Sequence, residues 1–181
     1  MWTDVLERAY SLKWHARRPT YVGCSVVPEW HRFMAFRAWV LEQSDWRGLQ
    51  IDKDLLVPGN MEYGPTTCCF VSGRVNSLLN DSGSKRGCHP IGVHWNKSAK
   101  RFVAQVRDGY GEQIYLGCYP TALAAHHEWQ HMKASIIAEA AKDLADDRIR
   151  RALCLRASRL LADFAAGIET FDLNQSNEHD Q

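Results

Sequence analysis

The chain has 181 residues, 45% of them hydrophobic, and its 22 Lys and Arg residues nearly balance 21 Asp and Glu residues, leaving a net charge of +1. This composition is typical of a folded protein with one ordinary domain or two small ones, and it excludes any inference about partners from net charge. No apolar run approaches the ~20 residues that a membrane helix needs. Because the six cysteines form no CxxC pair and the N-terminus lacks a signal-peptide pattern, we expect a cytosolic protein with reduced thiols and no structural zinc.

The first part of the chain predicts two helices with a short strand between them. Apolar side chains at helical spacing predict a first helix that ends before the basic segment KWHARRPT. A strand is expected in YVGCSVV, and Pro28 is expected to open the second helix. That helix carries an apolar stripe of a kind that usually lies in the core, made of Trp30, Phe33, Met34, Phe36, Trp39 and Val40.

Residues 48–80 predict two short strands followed by a helix. The strands cover 49–51 and 68–71, and the helix begins near Arg74. This order would bring four polar side chains into one region, namely Asp52, Asp54, Asn60 and Asn76. The segment 81–87 is small, polar and rich in Gly and Ser, so we predict a linker there, after a first module over 1–80.

Beyond the linker, residues 88–141 predict three antiparallel strands packed on a helix. In RFVAQVR, residues 101–107, polar and basic side chains alternate with apolar ones, and Val103 is the exception on the polar side. IGVHW and QIYLG supply the other two strands, and residues 108–111 form the hairpin turn between the last two. Thr121 is expected to cap the helix.

The last forty residues predict a helix over 142–171 and a flexible tail over 172–181. Arginines lie between the apolar positions of this helix, which is typical of a solvated basic face. A docking helix, a dimer contact and a basic arm on DNA are the alternatives. The expected fold class is therefore α+β, with a strand–strand–helix module, a three-stranded antiparallel sheet packed on a helix, and a C-terminal helix.

The segment HHEWQHM, residues 126–132, contains the HExxH spacing of zinc peptidases. On a helix His127 and His131 would share a face, and Glu128 would be placed to act as a base. The sheet-and-helix arrangement instead requires Trp129 to be buried against the strands. Because residues two apart on a helix point in different directions, we expect both histidines to face outward and no zinc site to form.

The run GVHWNKSAKRFVAQVRD, followed by IYLGCYPTALAA and an aromatic at Trp129, resembles the Apetala/ethylene-response-factor DNA-binding domain of plants and homing endonucleases. The resemblance implies that one sheet face enters the major groove of double-stranded DNA. It assigns base reading to His94, Asn96, Gln105, Arg107, Gln113 and Tyr115. We expect phosphate contacts from Lys97, Lys100 and Arg101, and the alternative for each lysine is a solvated surface charge. Only Arg107 keeps the family's arginine, the side chain that pairs with guanine. Residues 85–107 also contain six Lys and Arg and no Asp or Glu.

Residues 7–80 resemble the HNH-type endonuclease module that often precedes such a domain in phage and mobile-element proteins. GLQIDKDLLVPGNMEYGPTTCCFV and RVNSLL match its ββα-metal segment, with Asp52 where the family usually has a His general base. The resemblance implies Asp52 as the base, Asn60 as its orienting group, and Mg²⁺ or Mn²⁺ bound by Asp54, Asp52 and Asn76. The alternative is that the aspartates only accept turn hydrogen bonds and that Asn60 only suits the turn geometry.

These resemblances lead to three hypotheses. The first is a metal-dependent homing endonuclease that cuts double-stranded DNA, in the host cytoplasm if the chain is phage-encoded. The second is a catalytically degenerate DNA-binding regulator or phage factor that inhibits host machinery through a host protein partner. The third is a protein-binding adaptor in which the HNH-like half survives only as a fold.

Overall fold

The computed structural model describes residues 1–80 and 87–174. The predicted linker lies outside these residues except for Gly87, as does the predicted tail except for 172–174. Among the described residues, the chain forms two compact units, one from Met1–Gly73 with Asn174 and one from Arg74–Leu173. The fold is mixed α+β, as predicted. No helix of the described ranges is long and apolar enough to cross a membrane.

Two short helices open the first unit. Helix α1 covers Trp2–Tyr10 and helix α2 covers Leu12–Arg17. The first helix ends before KWHARRPT, as predicted, whereas the second helix was not predicted. Ser11 separates the two helices and caps the second. Its hydroxyl accepts a hydrogen bond from the backbone N of Trp14 at 3.3 Å, which satisfies a donor that the start of a helix leaves unpaired.

An aromatic cluster forms the core of the first unit. A 3₁₀ turn over Pro28–His31 leads into helix α3, Phe33–Glu42. The buried residues of this segment are Trp30, Phe36, Trp39 and Val40. The predicted stripe was wrong for Phe33 and Met34, which are 49% and 65% exposed, because the first turn of α3 lies at the rim of the cluster. There the rings of Phe33 and Trp2 meet edge to face, with centroids 5.6 Å apart.

Two pairs of short strands complete the first unit. Strand β1, Ser25–Val26, pairs in parallel with β3, Glu62–Tyr63, which the sequence did not predict. Strand β2, Gln50–Asp52, pairs antiparallel with β4, Cys69–Val71. Helix α4, Gly73–Leu78, follows β4 directly in the chain. The predicted order of two strands and a helix is therefore confirmed.

The second unit contains the predicted three-stranded antiparallel sheet, in the order β5-β6-β7. Its strands are β5, Val93–Asn96, β6, Arg101–Arg107, and β7, Gln113–Tyr119. Helix α5, Ala122–Lys142, packs on one side of this sheet. Helix α6, Asp147–Ala166, lies against α5 and falls within the predicted segment 142–171.

Two polar side chains fix the ends of these elements, at the hairpin turn and the helix cap that the sequence predicts. Asp108 Oδ1 accepts hydrogen bonds from the backbone N atoms of Tyr110, Gly111 and Glu112, at 2.7, 3.1 and 3.1 Å, which closes the turn between β6 and β7. Thr121 Oγ1 accepts from the backbone N of Ala124 at 3.1 Å and caps α5. Turn and cap together set where the second and third strands end.

Trp129 of α5 packs against the backbone of Gly92, just before β5. A Cβ atom on Gly92 would lie 2.0 Å from Trp129 Cδ1, and the residue has a φ of +77°. Glycine alone tolerates both conditions, since it has no side chain and adopts positive φ without strain. Trp129 is buried as predicted. Its close contact with the chain before β5 therefore requires a residue without a side chain at Gly92.

A buried polar network ties the segment after α6 back to α5. The Nδ1 atom of His126 lies 2.8 Å from the carbonyl O of Ile91, and its Nε2 accepts from the backbone N of Thr170 at 3.0 Å. These partners place the imidazole proton on Nδ1. Gln130 Nε2 donates to the Thr170 hydroxyl at 3.0 Å, and that hydroxyl donates to Asp163 Oδ2 at 2.6 Å.

Candidate nucleic-acid interface

Strand register brings most of the predicted DNA-binding side chains onto one face of the sheet, which we call the outer face. Residues directly opposite each other in neighbouring strands point to the same side. Four such rows make up the outer face, namely Asn96 with Arg101, His94 with Val103 and Cys118, Gln105 with Tyr115, and Arg107 with Gln113. The opposite face carries Phe102 and Ala104 and packs on α5. The predicted division into a polar and a packed face is confirmed.

The predicted contact side chains of the outer face are accessible to different degrees. Those of His94, Arg101, Arg107, Gln113 and Tyr115 are exposed, and those of Asn96 and Gln105 are half-buried. Val103, between His94 and Cys118, is only 4% exposed. The middle of the outer face therefore contains a buried apolar side chain, Val103, between rows of polar residues.

Lys97 and Lys100 lie in the hairpin that joins β5 to β6, and both are exposed. Asn96 Oδ1 accepts a hydrogen bond from the backbone N of Ala99 at 3.0 Å, which closes this hairpin. Lys100 adopts a φ of +49°, the left-handed conformation that such turns require of one residue. Both lysines are therefore held beside Arg101, at the same end of the outer face.

A β-bulge in β7 shapes the middle of the outer face. Ala104 is opposite Gly117 whereas Gln105 is opposite Tyr115, so β7 contains one extra residue, Leu116. Bulges of this kind increase the local twist and re-aim side chains. Here the bulge aligns Tyr115 with Gln105. The Tyr115 hydroxyl forms a 3.1 Å hydrogen bond with Cys118 Sγ, and this bond raises the pKa of the phenol above its ordinary value.

Positive charge on the outer face is concentrated at its two ends. Arg101 and the two hairpin lysines occupy one end, and Arg107 occupies the other. At ~3.4 Å per residue, the six-residue separation of the two arginines places their Cα atoms about 20 Å apart. None of the outer-face rows contains a carboxylate. The face is thus cationic at its ends and neutral between them.

Sequence reasoning missed two residues at the Arg107 end of the sheet. The guanidinium of Arg74, on α4, lies 4.2 Å from the ring centroid of Tyr110. Tyr110 is 72% exposed at the tip of the turn between β6 and β7. Ser77 Oγ donates to the carbonyl O of Gly109 at 3.1 Å and so fixes α4 against this turn. Thirty-odd residues separate α4 from the turn, so no local sequence pattern connects them.

The HExxH histidines take no part in the buried network. Trp129 is buried and its ring stacks on His126, with centroids 5.2 Å apart. The prediction that both motif histidines face outward holds for His131, which is exposed, and only partly for His127, which is half-buried. Both rings lie near Phe164 of α6, at 5.5 Å for His127 and 6.0 Å for His131.

The predicted catalytic residues lie in what we call the Asp52 loop, residues 52–62. Asp52 Oδ1 accepts hydrogen bonds from the backbone N atoms of Asp54, at 3.0 Å, and Leu55, at 2.7 Å. The buried ammonium of Lys53 donates to Asp54 Oδ2 at 3.1 Å and to the carbonyl O of Asn60 at 2.8 Å. The aspartates are thus part of the loop's own hydrogen bonding.

Asn60 closes the same loop with both ends of its carboxamide. Its Nδ2 donates to the carbonyl O atoms of Lys53 and Glu62, each at 2.7 Å. Its Oδ1 accepts from the backbone N of Glu62 at 3.3 Å. Asn60 therefore joins the two sides of the loop and has little freedom to orient another side chain.

Burial, and secondarily the charge of Asp54, raise the pKa of Asp52 to about 6. The backbone N–H of Leu55 acts in the opposite direction, because it favours the ionised carboxylate. A carboxyl group of this kind changes charge near neutral pH, unlike an ordinary aspartate.

The proposed Mg²⁺ ligands are divided between the two units. Asn76 is on α4 in the second unit, whereas Asp52 and Asp54 belong to the first. The Lys53 ammonium lies 3.1 Å from Asp54 Oδ2. Within residues 1–80 and 87–174, no three His, Cys, Asp or Glu side chains form a group suited to a metal ion.

Comparison of the chain with protein-family models, curated proteins and solved structures found no match. The two family resemblances therefore depend on the sequence segments that carry them.

Proposed function

We propose that this chain binds double-stranded DNA through the outer face of the β5-β6-β7 sheet. The observation that supports this proposal is the division of the sheet, in which one face packs on α5 and the other displays basic and amide side chains without a carboxylate. A face of this composition complements the phosphates and base edges of a duplex.

The distribution of charge supports a particular mode of binding. The major groove is about 12 Å wide and admits a β-ribbon, and phosphates line both of its edges. The cations at the Arg101 end of β6 are placed to meet phosphates on one edge of the groove, while Arg107, about 20 Å further along the strand, and the neutral rows face the bases. In this mode Lys97, Lys100 and Arg101 contact the backbone, and Gln105 faces the groove.

Binding is tested by fluorescence anisotropy with a labelled 30-base-pair duplex over a range of salt concentrations. Replacing Lys97, Lys100 and Arg101 together by Ala should weaken binding to all sequences and reduce the salt slope by about 2–3. The matched control is Lys142→Ala, at the end of the helix that covers the opposite face, which should leave affinity unchanged. Equal salt slopes for all three proteins would contradict the proposal.

Phosphodiester cleavage is the second candidate function. It is favoured by the strand–strand–helix order of β2, β4 and α4, with Asp52 at the end of β2 as in the HNH resemblance. Supercoiled plasmid is incubated with Mg²⁺ or Mn²⁺ and wild type, Asp54→Ala, or the exposed control Asp45→Ala. Nicking by wild type and by Asp45→Ala, but not by Asp54→Ala, would support cleavage. Intact plasmid, or equal nicking by all three proteins, would leave DNA binding without catalysis.

A further inference from the structure

We infer that the outer face selects a mixed sequence, in which Arg107 reads a guanine while Gln105 and Gln113 read adenines within about three base pairs. This inference rests on the proposed DNA binding and specifies the duplex that the sheet prefers. It begins from the bulge in β7, which sets Gln105, Arg107, Gln113 and Tyr115 in two adjacent cross-strand rows.

The spacing of these rows matches the spacing of base pairs. Gln105 and Arg107 are two residues apart on β6, or about 7 Å, and Arg107 and Gln113 are directly opposite, about 5 Å apart. Successive base pairs rise by about 3.4 Å. Neighbouring side chains of this group therefore reach edges one or two steps apart, which confines their readout to about three consecutive pairs.

The chemistry of the side chains distinguishes the bases. A carboxamide carries one acceptor and one donor group side by side, which matches the N6 donor and N7 acceptor of adenine in the major groove. Guanine presents two acceptors there, so a carboxamide oxygen facing it has no donor. A guanidinium offers two parallel donors and suits guanine. Two amides beside one arginine therefore favour a mixed rather than a G·C-only site.

Neighbouring groups favour base reading over phosphate contact for Gln105. It is half-buried, directly opposite Tyr115, whose hydroxyl is held by Cys118 Sγ at 3.1 Å. A side chain confined in this way loses less rotational freedom on binding than a fully exposed one. The cations assigned to phosphates, Lys97, Lys100 and Arg101, lie at the far end of the face from this row.

The experiment begins with selection of duplexes from a random library by the full chain, followed by anisotropy on the selected duplex and on a scrambled one. Wild type is expected to select A·T pairs beside a G·C pair. Gln105→Ala should lower affinity for the selected duplex by about 5- to 100-fold and leave the scrambled duplex unaffected. Gln105→Arg should retain binding and move the preference at that position from adenine to guanine.

A modified duplex tests the same contact without changing the protein. Replacing the selected adenine by 7-deazaadenine removes N7, and it should weaken binding by wild type severalfold while leaving Gln105→Ala unchanged. If wild type binds all duplexes equally, or if the modified base has no effect, the inference fails while DNA binding stands. If no duplex binds at all, the proposed function fails with it.

Discussion

The Asp52 loop and the outer face of the sheet are both rich in polar side chains, yet they use them in opposite ways. In the loop, Asn60 and Asp52 direct their polar atoms to backbone groups a few residues away. On the outer face, Arg107 and Gln113 extend into solvent from a strand pair that the backbone already holds. Polar residues that complete a fold have hydrogen-bond partners within the protein, whereas residues available to a ligand face solvent. Residue type alone does not reveal which of the two applies.

The largest predicted effect tests whether the outer face depends on the packing beneath it. Gly92→Ala introduces a Cβ against Trp129 and imposes side-chain strain at positive φ, so we expect a loss of about 3–5 kcal/mol in the free energy of unfolding. Gly87→Ala is the matched control, because Gly87 has a φ of +73° and open space around it. It should cost only about 1–2 kcal/mol. Urea unfolding monitored by tryptophan fluorescence measures the stability of both variants. Equal losses would show that the contact with Trp129 adds nothing to the cost at Gly92.

The next prediction compares an asparagine from each region. Asn60→Ala removes three hydrogen bonds that join the two sides of the Asp52 loop, so we expect a loss of about 1–3 kcal/mol. Asn96→Ala removes a single turn hydrogen bond on the outer face and should cost less than about 1 kcal/mol. Chemical denaturation of the two variants provides the comparison. A larger loss for Asn96→Ala would reverse the distinction between the regions.

A third prediction concerns the pH dependence of stability in the Asp52 loop. The pKa of Asp52 is about 6 in the folded chain, above its ordinary 3.8, so the folded state takes up a proton as pH falls from about 6 to 4 and gains stability. Asp52→Asn keeps the acceptor oxygen but removes the charge. It should therefore be more stable than wild type by about 1–2 kcal/mol at pH 8, with the difference vanishing near pH 4. Thermal unfolding of both proteins across this pH range measures the stability difference. A difference that does not change with pH would contradict the prediction.

The smallest predicted effect on stability is at Arg107. Because this side chain is exposed on the outer face, Arg107→Ala should change the free energy of unfolding by less than about 0.5 kcal/mol. The same variant should weaken binding to a selected duplex by about 1–3 kcal/mol. Unfolding curves and anisotropy on one preparation separate these effects. A loss of stability as large as the loss of affinity would mean that Arg107 stabilises the fold rather than contacts DNA.

Much of the second unit was predictable because its signals are local. Period-two alternation over residues 101–107 identified both faces of β6, and Asp108 and Thr121 marked the turn and the helix start. The bulge at Leu116 was not predictable, because it is a difference in register between two strands and leaves no pattern in either one.

The first unit was harder to predict because its elements are short and depend on distant partners. Strand β3 has only two residues, and its pairing with β1 links positions 37 apart in the chain. The Asp52 loop illustrates the same limit, since the sequence identified its polar residues but left open whether they serve catalysis or the turn. The hydrogen bonds of Asn60 depend on how the loop closes, which residue type alone does not specify.

The network around His126 has a practical consequence for fragments of this protein. An expression boundary drawn at the end of α5 would keep all three strands and Trp129 but delete Asp163 and Thr170. The imidazole of His126 and the carboxamide of Gln130, both buried in the full chain, would then be exposed to water on one side of α5. A fragment that carries the sheet should therefore extend through Leu173, because that end point keeps the hydrogen bonds of Thr170 and Asp163.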